Sequence, residues 1–433
     1  MESYTQKWVD KDNGFVKREA FVSEDVYKLE IDRLFNRNWI FLGHETEIPD
    51  EGDFVVRNLG NAPVIVIRVD KNKIKVFLNS CRHRGTKLCR VDAGKAKKFV
   101  CPFHGWTYEK SGKLISTGFD HHFPEKTDFS LLSLIAAPRV ETFRGLIFGC
   151  WDKDVVGLNQ FLGDIGWYLD AFFNRSPQGM EVLAPPHRWR TKANWKIGAL
   201  NFIGDNQHGS TTHIGPSTVD KNRTIRDGFR KSAEESFHVV TEGGHGCTMA
   251  YLVPGMPKKN YQTYSEKLKP IYEKNLQPGQ YAMLHNLRVC VGTVFPNLSF
   301  VESQVGAGEK ALIVRLWHPV NAIEMEVLSW VFAEVEANDE YKKSALRNGF
   351  HNFGAAGVFE QDDMELWASA TAASDNSIAQ QYPFSFQTSL RYISKPTKQH
   401  DWPGKTYRPV DTEVAQFHFM QHWEKVLLAG GPF

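Results

Sequence analysis

Two short motifs constrain this chain more than anything else in it: Cys81-Arg82-His83 and Cys101-Pro102-Phe103-His104, with seventeen residues between the halves. Together they offer two thiolates and two imidazoles from two short loops. Such a set suits one tetrahedral zinc, or a [2Fe–2S] cluster in which two histidines replace two cysteines on one iron. The surrounding sequence reads as strands. Val64-Ile65-Val66-Ile67 has the look of a buried strand, while Ile74, Val76 and Leu78 alternate as in a half-buried one. Phe99-Val100 leads into the second loop, Lys110-Ser111-Gly112 turns the chain back through Leu114-Ile115, and Leu146-Ile147-Phe148 closes the β-region. The ligand loops therefore fall at hairpin ends, where a sheet can hold a cluster near the surface.

The residues flanking the motifs, Cys81-Arg82-His83-Arg84-Gly85 and Cys101-Pro102-Phe103-His104-Gly105-Trp106-Thr107-Tyr108, closely resemble the signature of Rieske iron–sulfur proteins. The resemblance implies that Cys81 and Cys101 hold one iron of a [2Fe–2S] cluster, and His83 and His104 the other. Imidazole donors would place its potential at roughly −150 to +300 mV. Around the loops lie Arg82, Arg84, Lys87, Arg90, Lys95, Lys97 and Lys98. This run fits a solvated surface or a face that steers an acidic electron carrier.

A length of 433 residues suggests about two or three domains. With 52 basic and 50 acidic residues the formal charge is only +2, which argues against a nucleic-acid binder. Cys89, Cys150, Cys247 and Cys290 show no paired spacing and read as buried or free thiols. The start, Met1-Glu2-Ser3-Tyr4-Thr5-Gln6-Lys7, has no apolar signal region, and the longest apolar stretch, Leu131 to Pro138, is far short of a membrane span. A reducing cytoplasm fits best.

Ser23-Glu24-Asp25 looks like a helix start, and Tyr27, Ile31, Leu34 and Phe35 follow on one apolar face ending near Trp39. Farther on, Leu312 to Trp317 and Met325 to Val335 read as strands separated by Pro319 to Ala322, and Asn338-Asp339-Glu340 caps a helix running into the 350s. The expected fold class is α+β. An N-terminal helical segment (1–39) packs on the last domain. A small all-β domain (40–156) follows, and then a larger, helix-grip-like catalytic domain of antiparallel sheet and helices (157–433).

A second set of ligand-type residues lies in that larger domain. Asp205-Asn206-Gln207-His208 is followed by His213, and far downstream comes Glu360-Gln361-Asp362-Asp363-Met364-Glu365. Five residues turn an ideal helix by about 140°, so both histidines cannot reach one metal from an unbroken helix. The helix is expected to end after His208, at Gly209, with His213 swinging in from the next turn. Two histidines and one carboxylate with open positions make the site of non-haem Fe(II) oxygenases. As a pair of histidines alone, core or surface roles would be the default.

The order of motifs, Rieske halves, then Asp-x-x-His-x-x-x-x-His, then an acidic run, resembles the α subunits of aromatic-ring-hydroxylating dioxygenases of the naphthalene and biphenyl kind. The resemblance covers nearly the whole chain. It implies that His208, His213 and Asp363 bind a mononuclear Fe(II), with Asp362 a solvated or helix-stabilising neighbour. Asp205 could simply cap the helix that carries His208. The resemblance implies more: a bridge from the mononuclear site to the cluster histidine of a neighbouring subunit, because the two centres of one chain lie too far apart in the family. By the same resemblance Asn201 is a polar position beside the iron, and Phe202, Phe353 and Phe359 line the substrate pocket. For each aromatic, plain core packing is a strong rival, since most of thirty phenylalanines must be core. Gln207 departs from the pattern, where many relatives have tyrosine.

The implied activity is O2-dependent cis-dihydroxylation of an aromatic ring. Electrons would come from NAD(P)H through a reductase, often with a ferredoxin. The implied assembly is α3β3 with a small β subunit, or an α3 homotrimer. A monooxygenase or N- or O-demethylase would use the same two iron sites. A simple Rieske electron carrier would need only residues 40–156, and would leave His208, His213 and Asp363 unexplained. An aromatic acid as substrate would want a basic pocket residue, for which Arg288 is a candidate. Pocket shape depends on loops such as 215–265.

Overall fold

The computed structural model describes residues 7–215, 236–251, 265–285, 287–303, 310–398 and 400–430. Two compact units emerge: Phe35–Leu158 forms one, and the residues through Leu34 together with those from Asn159 onward form the other.

The first unit is built from antiparallel sheets joined by short turns, and both ligand loops hang from its strands. Lys73–Leu78, Ala62–Asp70, Asp53–Leu59 and Ala93–Lys95 make a four-stranded sheet. Lys98–Val100, Thr107–Glu109 and Leu114–Ser116 make a second, and Arg139–Phe143, Leu146–Cys150 and Ile40–His44 a third. The run Val64 to Ile67 is wholly buried, as a continuous apolar stretch in a strand must be. Phe54, Ile65, Ile67, Phe77, Phe99, Trp106 and Tyr108 pack into one core with Cys81 and Cys101 at its edge. The loop of Cys81 follows the strand Lys73–Leu78, and that of Cys101 follows Lys98–Val100.

The second unit centres on a nine-stranded antiparallel sheet. Met180–Val182 and His187–Thr191 both pair with Glu324–Glu334. The order then runs through Ala311–Asn321, Leu298–Ser303, Leu287–Val294, Gly246–Tyr251 and Phe237–Val240 to Lys405–Tyr407. Helix Trp195–Gly204 lies on one face. Thr293 Oγ1 donates to Ala199 O at 2.9 Å, and Gly198 sits against the Trp317 ring. Helix Asp339–Phe353 covers the same face farther along, with Gly349 against Val331. Its start follows the expectation: Asn338 accepts from Tyr341 N at 2.8 Å as the N-cap. This is an α+β fold with helices gathered on an antiparallel sheet.

Two local expectations shift. The hairpin strands Ala311–Asn321 and Glu324–Glu334 run through Pro319, which pairs with Met325 just before the register shifts toward Asn321, so the turn is shorter than the separator read from sequence. The N-terminal helix Glu24–Glu30 is capped by Ser23 but continues as a π-turn, Ile31–Phe35. Ile31, Leu34 and Phe35 are buried as their spacing demands. Among the described residues no helix is long and apolar enough to cross a membrane.

Candidate metal centres

The two cysteine–histidine loops share one backbone design. In each, the cysteine N–H donates to the carbonyl five residues on (Thr86 at 2.9 Å, Trp106 at 2.8 Å), and the N–H of a glycine four residues on returns to the cysteine carbonyl (Gly85 at 2.9 Å, Gly105 at 3.0 Å). Gly85 and Gly105 have φ of +78° and +74°, a conformation that only glycine adopts without strain. Cys81 and Cys101 are buried, while His83 and His104 are half-buried. Their Nδ1 atoms lie 3.1 Å apart, so both rings offer the same nitrogen toward one ion. His83 stacks on Trp106 with centroids 4.9 Å apart. Tyr108 Oη lies 3.3 Å from Cys81 Sγ and accepts from Arg82 N at 3.1 Å.

Among the described residues, the one group of three or more metal-type donors gathered on a single point is His208, His213 and Asp363, not the four Cys–His donors. Two buried thiols and two imidazoles presenting the same nitrogen are the donor set of a [2Fe–2S] cluster with mixed ligands. Arg82, Arg84, Lys87, Arg90, Lys97 and Lys98 are exposed around these loops; Lys95 is also exposed and pairs with Asp50 and Asp53 at 3.0 and 3.4 Å.

In the larger unit the donor atoms of His208, His213 and Asp363 all lie within 4.8 Å of one another. The two Nε2 atoms are 3.2 Å apart, and each is 3.6 Å from Asp363 Oδ1. The helix is expected to run through His208 and end at Gly209, but it ends before the first histidine. Helix Trp195–Gly204 ends before Asp205, and His208 opens a separate 3-10 turn, His208–Ser210. The cause is Gly204. Its φ is +152°, and a Cβ there would meet Thr248 Oγ1 at 2.1 Å and His238 Nδ1 at 2.8 Å. Asp205 is therefore the C-cap of the preceding helix rather than an N-cap for His208.

The outer nitrogens of both histidines have partners. His208 Nδ1 donates to the main-chain carbonyl of Asp205, leaving Nε2 as a lone-pair donor toward the site. The Asp205 carboxylate stands farther off, 3.4 Å from His208 N, and is half-exposed. Asn201 Nδ2 lies 3.4 Å from His208 Nδ1. Asp362 differs from its expected role as a mere neighbour: its Oδ2 is 3.5 Å from His213 Nδ1, placed to fix that ring. Nothing in the sequence separated this task from helix stabilisation, because adjacent helix residues point about 100° apart.

Electrostatics suit a cation. Burial and the adjacent His208 charge push His213 down to about 3. Burial also opposes charge on His208, yet the Asp205 hydrogen bond and the Asp363 charge hold it up to about 9. Burial raises Asp363 to about 7. A divalent ion binding here displaces protons, so rising pH favours it.

Phe359 packs edge-on to His213 with centroids 4.7 Å apart, and Phe353 lies 5.7 Å from Phe359. Phe202 is buried against Trp317 at 5.3 Å. Arg288 is buried within charge range of Lys310, at the point where the ladder to Gly246–Tyr251 shifts register. Gln207 is exposed and bonds to Asp411 O. Residues 216–235 and 252–264, most of the loop stretch expected to shape the pocket, lie outside the described residues.

Residues 38–124 match the family model described as the Rieske [2Fe-2S] domain, and residues 167–428 that of the ring hydroxylating alpha subunit (catalytic domain). The N,N-dimethyl phenylurea N-demethylase subunit alpha of a Sphingobium species is 33% identical over 427 residues, covering 96% of this chain and 92% of its own. The biphenyl 2,3-dioxygenase subunit alpha of Rhodococcus jostii is 32% identical over 438 residues, covering 97% and 90%. The naphthalene 1,2-dioxygenase of a Rhodococcus species, solved with indole bound, superposes with a TM-score of 0.89 at 34% identity, covering 96% of this chain and 95% of that one.

Proposed function

Because the chain belongs to the family of Rieske ring-hydroxylating oxygenase α subunits, we propose that it adds both atoms of O2 to a small apolar arene, giving a cis-dihydrodiol. Its family brings a Rieske [2Fe–2S] cluster and one mononuclear iron. When bound, the cluster relays single electrons and the ferrous ion activates O2 beside the substrate. In our reading Cys81, Cys101, His83 and His104 hold the cluster. His208, His213 and Asp363 hold the iron through Nε2, Nε2 and a carboxylate oxygen. The convergence of these last three donors carries the proposal. Three protein ligands leave coordination positions open, which is what an oxygenase needs and a structural site avoids.

The protein's own groups then orient and exclude. Asp205 and Asp362 fix the outer nitrogens of the two histidines. Phe202, Phe353 and Phe359 supply an apolar surround that desolvates an arene, and Asn201 adds one polar contact. The half-exposed Asp205 carboxylate is free to meet a neighbouring subunit's cluster histidine, as an electron bridge requires. That role calls for a ring of subunits, α3 or α3β3, fed in the cytoplasm by a reductase with or without a ferredoxin.

A second reading has a specific support, since one relative named above is an N-demethylase. Turnover under labelled O2, with purified redox partners and a panel of arenes and N-methyl aryl compounds, separates the two. Two label atoms in one product mean dioxygenation; a single label with formaldehyde release sinks it in favour of demethylation. Metal analysis should give about three iron atoms per chain, as a [2Fe–2S] cluster plus one ion requires.

A further inference from the structure

One buried side chain grips both ends of the segment that presents Phe353 and Phe359 and leads into Asp363. Arg315 stands on the strand Ala311–Asn321 and is fully buried. Its Nη1 donates to Glu360 Oε1 at 2.8 Å and its Nη2 to Glu360 Oε2 at 2.6 Å. Nη2 also donates to Phe353 O at 2.8 Å. The guanidinium carbon lies 5.2, 5.1 and 5.7 Å from the ring centroids of Trp189, Phe202 and Trp317. Glu360 is 1% exposed and sits three residues before Asp363, on the same side of helix Glu360–Ser374. That helix begins at Phe359 with no side chain capping it. Its first turn is therefore held from outside, by Arg315.

Stability alone gives a weak reason for burying such a pair, because apolar residues of similar volume often do as well. What the forked geometry adds is direction: a two-pronged grip fixes an angle as well as a distance. We propose that the Arg315–Glu360 pair is the positioning element that sets the Asp363 carboxylate at its place between His208 and His213. This rests on the ligand assignment above. Glu360 also occupies the Arg315 charge, so Asp363, about one turn along on the same side of the helix, stays directed at the histidines.

Two single variants test it. Arg315→Lys keeps the charge but cannot bridge both Glu360 oxygens and Phe353 O. Glu360→Gln leaves the Arg315 cation free to draw Asp363 aside. In holoprotein whose mononuclear site has been emptied and then titrated with Fe(II), each should bind iron at least about tenfold more weakly. The electron paramagnetic resonance of the nitric-oxide-treated ferrous site should change in rhombicity. Cluster absorbance, which arises in the other unit, should stay unchanged and so report an intact chain. The double variant Arg315→Met/Glu360→Met removes the buried charges altogether; it should fold yet bind iron as weakly as the singles. Wild-type affinity and an unaltered resonance in the folded variants would overturn the clamp, and wild-type affinity in the double variant does so even if both singles fail to fold. Should Asp363→Ala itself retain iron, the ligand assignment falls and the clamp with it; loss in Asp363→Ala beside retention in the clamp variants defeats the clamp alone.

Discussion

Asp205 faces its neighbour with two groups, and its main-chain carbonyl holds His208 Nδ1 more closely than its carboxylate, which lies 3.6 Å from that nitrogen. Its main-chain carbonyl takes the His208 Nδ1 proton, a job that survives any substitution of the side chain. The carboxylate is 3.4 Å from His208 N and half-exposed, which is weak holding and good access. Asp205→Ala should therefore keep both metal centres and lose turnover by at least about tenfold, the scale on which loss of a group beside a ligand histidine is felt. Iron analysis on the variant, alongside the rate at which its reduced cluster reoxidises with substrate and O2, checks this. Equal loss of iron and activity would mean that the carboxylate merely supports His208. The histidines themselves were legible through the order of motifs around them, since a pair five residues apart defaults on its own to core or surface roles. Asp362 was not, since which of two adjacent aspartates faces a ring depends on helix phase, and sequence does not show where a helix without a capping side chain begins.

At the level of elements, the break between helix Trp195–Gly204 and the His208 turn is made by packing. Gly204 adopts a φ of +152° with Thr248 and His238 pressed against the position of a Cβ. Gly204→Ala should push the Asp205–His208 turn away from the sheet. Strained backbone of about 1–3 kcal/mol adds to that clash, and iron occupancy should fall several-fold while the cluster spectrum stays intact. Iron content measured against cluster absorbance tests it, and full occupancy would show that the turn tolerates the shift. The sequence placed this break five residues late, at Gly209, because Gly204 owes its conformation to strands more than thirty residues away. Elements governed by local rules were readable: the Ser23 and Asn338 caps, the buried run Val64 to Ile67, the hairpin that carries Cys101. The loop of Cys81 is no hairpin end, for it joins Lys73–Leu78 to Ala93–Lys95 at the opposite edge of the same sheet. Those governed by tertiary contact were not, the π-turn at Ile31–Phe35 and the strand continuing through Pro319 among them.

Across the whole molecule, the catalytic unit carries neutral imidazoles in its interior, and this sets an acid limit on the fold. His245 is fully buried; its Nε2 donates to Phe161 O at 3.0 Å and its Nδ1 accepts from Phe295 N at 2.9 Å. His238 donates from Nε2 to Thr412 O at 3.1 Å and lies 2.6 Å from Thr248 Oγ1. Burial pushes both down to about 4. An unfolded imidazole titrates near 6.5, so between these values the unfolded chain binds more protons than the folded one. Their contribution is complete above about pH 6.5 and is lost as pH falls toward 4, by about 3 kcal/mol for each histidine. His245 is the sharper case, because a second ring proton would face the Phe295 N–H with nowhere to turn, whereas the Thr248 hydroxyl beside His238 can rotate. Denaturant unfolding of the metal-free chain, followed by tryptophan fluorescence at pH 7.5, 6, 5 and 4.5, should show falling stability with proton uptake. In His245→Gln, less stable at pH 7.5, the decline between pH 6.5 and 4.5 should be shallower than in the parent. Parallel pH curves for the two proteins would show that His245 does not set the limit.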